Sequence, residues 1–275
     1  MLSPEYEQKI NDWHLERENS LRKENGWLAL AGLFWLDEGE NRVGSHPSSD
    51  VVLPARAPAA LGSIRLEGKR ATLHTNPGQV VRVNGEEVRE ANLNPDVDED
   101  PSFITLDGMR LVVIERPNGM GVRIWDNLRP ERQSYPPRLW FPINEALRLP
   151  ARYTRHAAPR KVLLPDVFGE LVEATMEGIL TFEIERQEHS LEVSESEDGT
   201  LDLHFQDLTS GVETYPSGRY YYTTEPPVDG HITIDFNFAY SPPCAFTEFA
   251  TCSFAPAENR LKVRIDAGEI YRPGL

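Results

Sequence analysis

The residues best equipped for chemistry sit in the last third of the chain. His231, Thr233, Asp235 and Asn237 alternate with Ile232, Ile234, Phe236 and Phe238, the pattern of a strand with one polar and one apolar face. Arg219 and three tyrosines, Tyr220, Tyr221 and Tyr222, precede this run; Tyr240 and Ser241-Pro-Pro-Cys244 follow it. An antiparallel hairpin of 219–224 with 231–237 sets Arg219 opposite Asn237 and Tyr221 opposite Asp235. Arg219 and Asp235 are then diagonal neighbours, within reach of a long arginine. The expected site is a polar pocket at a barrel mouth, made of Arg219, Tyr221, Asp235, Asn237, Tyr240 and Cys244. Arg219 would bind a small anionic molecule there, and the two prolines would hold Cys244 at a set distance.

Two other readings stand beside this one. In the first, the chain is a hydrolase or thiol-dependent enzyme using Cys244 or the Asp235/Tyr240 group, although no histidine lies near Cys244 in sequence. In the second, Arg219, Asp235 and Asn237 tie loops down while Cys244 and Cys252 are small buried apolar residues. No cofactor or metal is expected. The seven histidines are scattered, the two cysteines lack zinc-site spacing, and neither a glycine-rich phosphate loop nor a Gly-x-Ser-x-Gly elbow occurs.

Composition narrows the partners. Across 275 residues, 44 acidic against 28 basic side chains leave a net charge of −16, which repels nucleic acid and anionic membranes. No apolar run is long enough to span a bilayer, and Glu5 and Glu7 stand where a signal peptide needs basic and then apolar residues, so a cytoplasmic protein is expected. Two cysteines are too few for a disulfide framework.

The elements that must position the site begin with a helix. Ser3 suits its N-cap, Pro4 its first position, and Tyr6, Ile10, Trp13, Arg17 and Leu21 form one face, with Asn25-Gly26 as the stop. That face either packs on the domain or meets a second copy of the chain. From Trp27 onward short strands alternate with Gly, Pro, Asn and Asp. Residues 92–101 read as a loop, and a second break runs through 128–137, where Pro136 and Pro137 cannot sit inside a sheet. Arg123 and Asp126 read as strand residues that serve the fold. One register can be derived: a three-residue loop at Glu197–Gly199 pairs Val193 with Leu203 and Leu191 with Phe205, keeping both apolar faces on one side. Gly199 is then left-handed and His204 points outward into solvent.

Two resemblances add to this. Asn41 to Leu53, containing Gly44 and Asp50, followed by Val80 to Gly85 with its Asn-Gly turn, resembles the forkhead-associated phosphopeptide-binding domain, an eleven-stranded sandwich. Gly44 is followed by Ser45 where that family has arginine, and 56–60 lacks its Ser and His, so the resemblance implies the fold and at most a degenerate phosphopeptide adaptor. The segments 215–222, 234–246, 250–252 and 258–261, with Ala267-Gly-Glu269, Gly26-Trp27-Leu28, Gly121–Asp126 and Trp140-Phe141-Pro142, closely resemble the bacterial and archaeal domain of unknown function 1684. The expected architecture is mainly β: an N-terminal helix (1–26), a forkhead-associated-like β-sandwich (27–130), then a β-barrel or half-barrel (131–275).

Overall fold

The computed structural model describes residues 2–272, which fall into two compact units: residues 20–135, and residues 2–19 together with 136–272. The protein is mainly β.

The N-terminal helix, Pro4–Arg22, starts as its sequence dictates: the Tyr6 amide donates to Ser3 Oγ at 3.2 Å. Three residues beyond its end, Asn25 takes the left-handed conformation.

The 20–135 unit is a two-sheet sandwich. One sheet orders its strands Leu30–Trp35, Gly119–Asp126, Met109–Arg116, Phe103–Leu106, Val81–Val83, Glu86–Val88. The other orders Val51–Val52, Gly39–Gly44, Gly62–Glu67, Arg70–Thr75, Glu90–Leu93. Ile64, Leu73 and Val43 of the second sheet meet Ile104, Leu111 and Ile124 of the first in one core. Asn84 and Gly85 both have positive φ, the geometry a two-residue hairpin needs, and Asn84 Oδ1 accepts the Phe103 amide at 2.9 Å. Asn92 and Leu93 belong to the last strand, so the acidic loop begins at Asn94 rather than Asn92. Asp126 is held by both terminal nitrogens of Arg56 at 2.6 Å, while Arg123 is buried. The 128–137 break contains a single helical turn, Glu131–Ser134.

The second unit is a six-stranded sheet that curls into a half-barrel, in the order Arg219–Tyr222, Leu201–Phe205, Gln187–Glu195, Leu171–Ile184, Arg148–Pro165, His231–Asp235. Leu180, Leu191, Val193, Leu203, Phe205, Ile234 and Phe236 fill its interior, and Tyr6 and Ile10 of the helix are buried in the same core. The derived register holds. Ser194 pairs with Asp202 and Glu195 with Leu201, Ser196 and Thr200 close the loop, and Gly199 has φ +81°.

The expected hairpin of 219–224 with 231–237 does not form. These neighbours in sequence occupy opposite edges of the sheet, the first beside Leu201–Phe205 and the second beside Arg148–Pro165. Curling brings the edges back together without a ladder: the Asp235 amide donates to Tyr221 Oη at 3.1 Å, and Tyr220 and Tyr240 exchange backbone hydrogen bonds. The strand also ends sooner than its alternation implies. Asp235 caps a 3₁₀ turn, Phe236–Phe238, by accepting the Asn237 amide, so Asp235 and Asn237 are buried rather than displayed.

Candidate functional site

The six expected site residues separate into four environments. Arg219 is sealed, with no exposed surface. Its guanidinium donates to the carbonyls of Ala267 and Ile265 and lies 3.4 Å from Asp207, which also accepts Thr209 Oγ1 and the Ile265 amide. Burial pushes its pKa down, opposed by Asp207. Arg219 therefore fastens the 265–267 segment to the barrel and has no open side for a guest. Its expected proximity to Asp235 fails for the same reason the hairpin fails.

Asp235 and Asn237 stay together in a buried network. Asp235 Oδ2 accepts Tyr6 Oη at 2.8 Å, and Asp235 Oδ1 accepts Asn237 Nδ2 at 2.8 Å. Asn237 Nδ2 also donates to the Asn144 carbonyl, and Asn237 Oδ1 accepts the Asn144 amide. Burial, then the bond to Asp235, drives the Tyr6 pKa upward, so its hydroxyl remains a donor. Tyr240 stands apart, with the Arg17 guanidinium 3.7 Å from its ring centre and Tyr222 stacked beside it.

Tyr221 and Asp235 border a cavity of about 230 Å³ at one end of the barrel, whose rim carries Lys9, Arg148, Thr224, Glu225, His231 and Thr233. Lys9 and Arg148 come from the helix and from the strand opposite Asp235. Both are exposed, and among the described residues neither makes an ion pair; each lies against an aromatic ring instead, Lys9 near Phe238 and Arg148 near Tyr6. Two carboxylates, Glu225 and Asp235, line the same cavity without an ion pair to either cation among the described residues. Sequence reading missed Lys9 and Arg148, because they lie far apart in the chain and neither stands in a motif.

Cys244 begins where the two prolines leave it. Pro242 is extended and Pro243 opens a 3₁₀ turn, Pro243–Ala245, so the segment is stiff but not extended throughout. The Cys244 amide donates to Cys252 Sγ at 3.3 Å, and Tyr215 Oη donates to the Cys244 carbonyl at 3.0 Å. Cys244 is partly exposed, and the neighbouring Cys252 thiol lowers its pKa to about 7. Cys252 is buried and moves the other way, because its proton is the one shared with Cys244. Both cysteines are free thiols.

Beyond Tyr220, on the outer face of the sheet, a cavity of about 190 Å³ is lined by Glu192, Asp202, His204, Tyr220, Tyr222 and the 253–259 segment. His204 points away from the barrel core, as its register requires, but it is partly buried rather than open to solvent. Asn259 reaches over it to its carbonyl, and burial lowers its pKa to about 4. Among the described residues no group of His, Cys, Asp and Glu is arranged to hold a metal, and no helix is long and apolar enough to cross a membrane.

Comparison with known proteins places this geometry in a family. The sequence model of the proteins of unknown function DUF1684 matches residues 134–270, and the chain belongs to that family. An uncharacterised protein of Haloarcula marismortui, solved in solution, is similar at 30% identity with a TM-score of 0.42, over 51% of this chain and 79% of that one. The FhaA FHA domain is similar at 20% identity with a TM-score of 0.24, over 33% of this chain and 85% of that one. EmbR of Mycobacterium tuberculosis, solved with a low-affinity phosphopeptide, is similar at 16% identity with a TM-score of 0.24, over 42% and 29% of the respective chains. No curated protein matches significantly.

Proposed function

We propose that this member of the DUF1684 family binds a small anionic molecule at the barrel mouth, between Lys9 and Arg148. The observation that carries the reading is the pairing of two exposed cations, neither engaged by a carboxylate among the described residues, on the rim of one cavity of about 230 Å³. Two lysine or arginine charges converging on an acceptor-rich guest give charge-assisted hydrogen bonds, roughly twice as strong as neutral ones. Thr224 and Thr233 add hydroxyl donors on the same rim. Glu225 on the rim and Asp235 beneath it carry the opposite sign, which disfavours large, highly charged guests and fits a compact mono- or dianion. Asp235 is already occupied by Tyr6 and Asn237, so it serves as a floor and not as a ligand group.

The test is calorimetric titration of the full-length protein with a panel of phosphate, sulfate and small mono- and dicarboxylates. Binding by wild type that weakens at least tenfold in Lys9→Ala and in Arg148→Gln supports the reading. Equal binding by all three proteins, or no binding of any panel member, overturns it. Phosphopeptide reading by the sandwich has less support, since Ser45 occupies the arginine position and spends its hydroxyl on the Ala57 carbonyl.

A further inference from the structure

Cys244 and Cys252 lie eight positions apart, and their juxtaposition is of the kind a disulfide requires. The 3.3 Å bond from the Cys244 amide fixes the Cys252 sulfur within about 4.8 Å of the Cys244 Cα, once the N–Cα bond of about 1.5 Å is included. The segment between them, 245–251, contains no strand and only the end of the 3₁₀ turn Pro243–Ala245, so side-chain rotation can close the bond without breaking a ladder. Their surroundings are unequal. Cys244 is partly exposed, with the Tyr215 and Ser217 hydroxyls beside it; Cys252 is buried, with the Tyr220 hydroxyl against it. A purely structural buried cysteine sits among apolar groups, whereas three hydroxyl-bearing residues, Tyr215, Ser217 and Tyr220, flank this pair.

From this arrangement we infer that Cys244 and Cys252 are a redox-active dithiol that exchanges with small-molecule disulfides, Cys244 attacking and Cys252 resolving. Cys244 is the attacker because it is the less buried of the two and the one whose pKa is lowered toward neutrality. In the first step the Cys244 thiolate attacks one sulfur of RS–SR; a Cys244–SR bond forms, the original S–S bond breaks, and RS⁻ leaves and is protonated. In the second step Cys252 gives up its proton and attacks the Cys244 sulfur, expelling the second RS⁻, which takes that proton. The dithiol loses two electrons, RS–SR gains them, and the products are the protein disulfide and two RSH. Nothing in this step involves the barrel-mouth cavity, so the two proposals stand or fall separately.

The experiment equilibrates the full-length protein in buffers of varied oxidised and reduced glutathione, quenches with acid, alkylates, and reads intact mass. Wild type is expected to pass from two free thiols to none with the loss of two hydrogens and no lasting glutathione adduct. Cys252→Ser should stop at a glutathione adduct on Cys244, and Cys244→Ser should stay unmodified while folded, as circular dichroism verifies. Tyr215→Phe should raise the pH at which Cys244 ionises, followed by thiolate absorbance, while leaving disulfide closure intact. Wild type that keeps both thiols throughout, that reacts only after unfolding, or that accumulates the adduct without closing overturns the inference. Equal adduct formation on Cys252 in Cys244→Ser overturns the assignment of roles.

Discussion

The Tyr6 hydroxyl donates a 2.8 Å hydrogen bond to Asp235 Oδ2, joining residues 229 positions apart in the chain. Asp235 is only 6% exposed and Tyr6 8%, so the contact is made away from water. Tyr6→Phe leaves Asp235 with one oxygen deprived of its donor, at an expected cost of about 1–3 kcal/mol. Urea denaturation of the variant against wild type measures it; a change under about 0.5 kcal/mol would show that the network carries little of the helix's attachment.

Arg219→Met should damage stability before it damages any binding. The guanidinium is fully buried on carbonyl and carboxylate partners, and its removal strands Asp207 and two carbonyls, an expected loss of about 3–5 kcal/mol. The matching measurement is the denaturant midpoint of Arg219→Met beside that of Arg148→Gln, which should stay near wild type because Arg148 is exposed.

Two histidines give a pH dependence whose sign can be worked out. Burial lowers both His14, stacked on Trp140, and His204 to about 4 from an ordinary 6.5. Between about pH 4 and 6.5 the unfolded chain binds protons there that the folded chain refuses. Stability therefore rises with pH through that window and their contribution levels off above it. Each whole proton of difference changes the unfolding free energy by about 1.4 kcal/mol per pH unit. Unfolding of wild type and His204→Phe at a series of pH values isolates one of the two: the variant should show the shallower slope, and parallel slopes would refute the assignment.

Gly178 sits in the strand Leu171–Ile184 where a Cβ would lie 2.4 Å from the Tyr153 ring and 2.6 Å from the Thr154 carbonyl oxygen. Gly178→Ala must push the neighbouring strand or the ring aside, and a loss of about 1–3 kcal/mol is expected. Thermal unfolding of this variant beside Gly169→Ala, where a Cβ meets nothing but φ is +84°, separates crowding from backbone strain.

What could be read from the sequence was whatever local physics decides. Ser3 caps its helix because a hydroxyl three residues before an amide can reach it, and the Glu197–Gly199 loop followed from two apolar runs that must share a face. The eleven-stranded sandwich was accessible through a resemblance and its Asn84-Gly85 turn. Strand order was not. The loop through Pro226 and Pro227 looked like a hairpin connection, yet it carries the chain from one edge of a curled sheet to the other, a choice set by closure of the barrel. The alternation at 231–237 was half informative: His231, Thr233 and Asp235 line the barrel-mouth cavity, whereas Asp235 and Asn237 also turn under the N-terminal helix to meet Tyr6. The site residues missed, Lys9 and Arg148, come from two distant elements, and the approach of Cys252 to Cys244 depends on a loop with no periodicity.

The unit that holds the half-barrel takes its first stretch from residues 2–19 and the remainder from 136–272. On the ribosome, then, the helix leaves the exit tunnel long before any strand that will cover Tyr6 and Ile10 has been translated. Its apolar stripe waits through synthesis of the whole sandwich, a window in which a holdase chaperone has something to grip. The matched segment 134–270, cut out and expressed by itself, would be missing the piece that plugs its own Asp235, and should be recovered in inclusion bodies unless a peptide of the first 22 residues is supplied in trans.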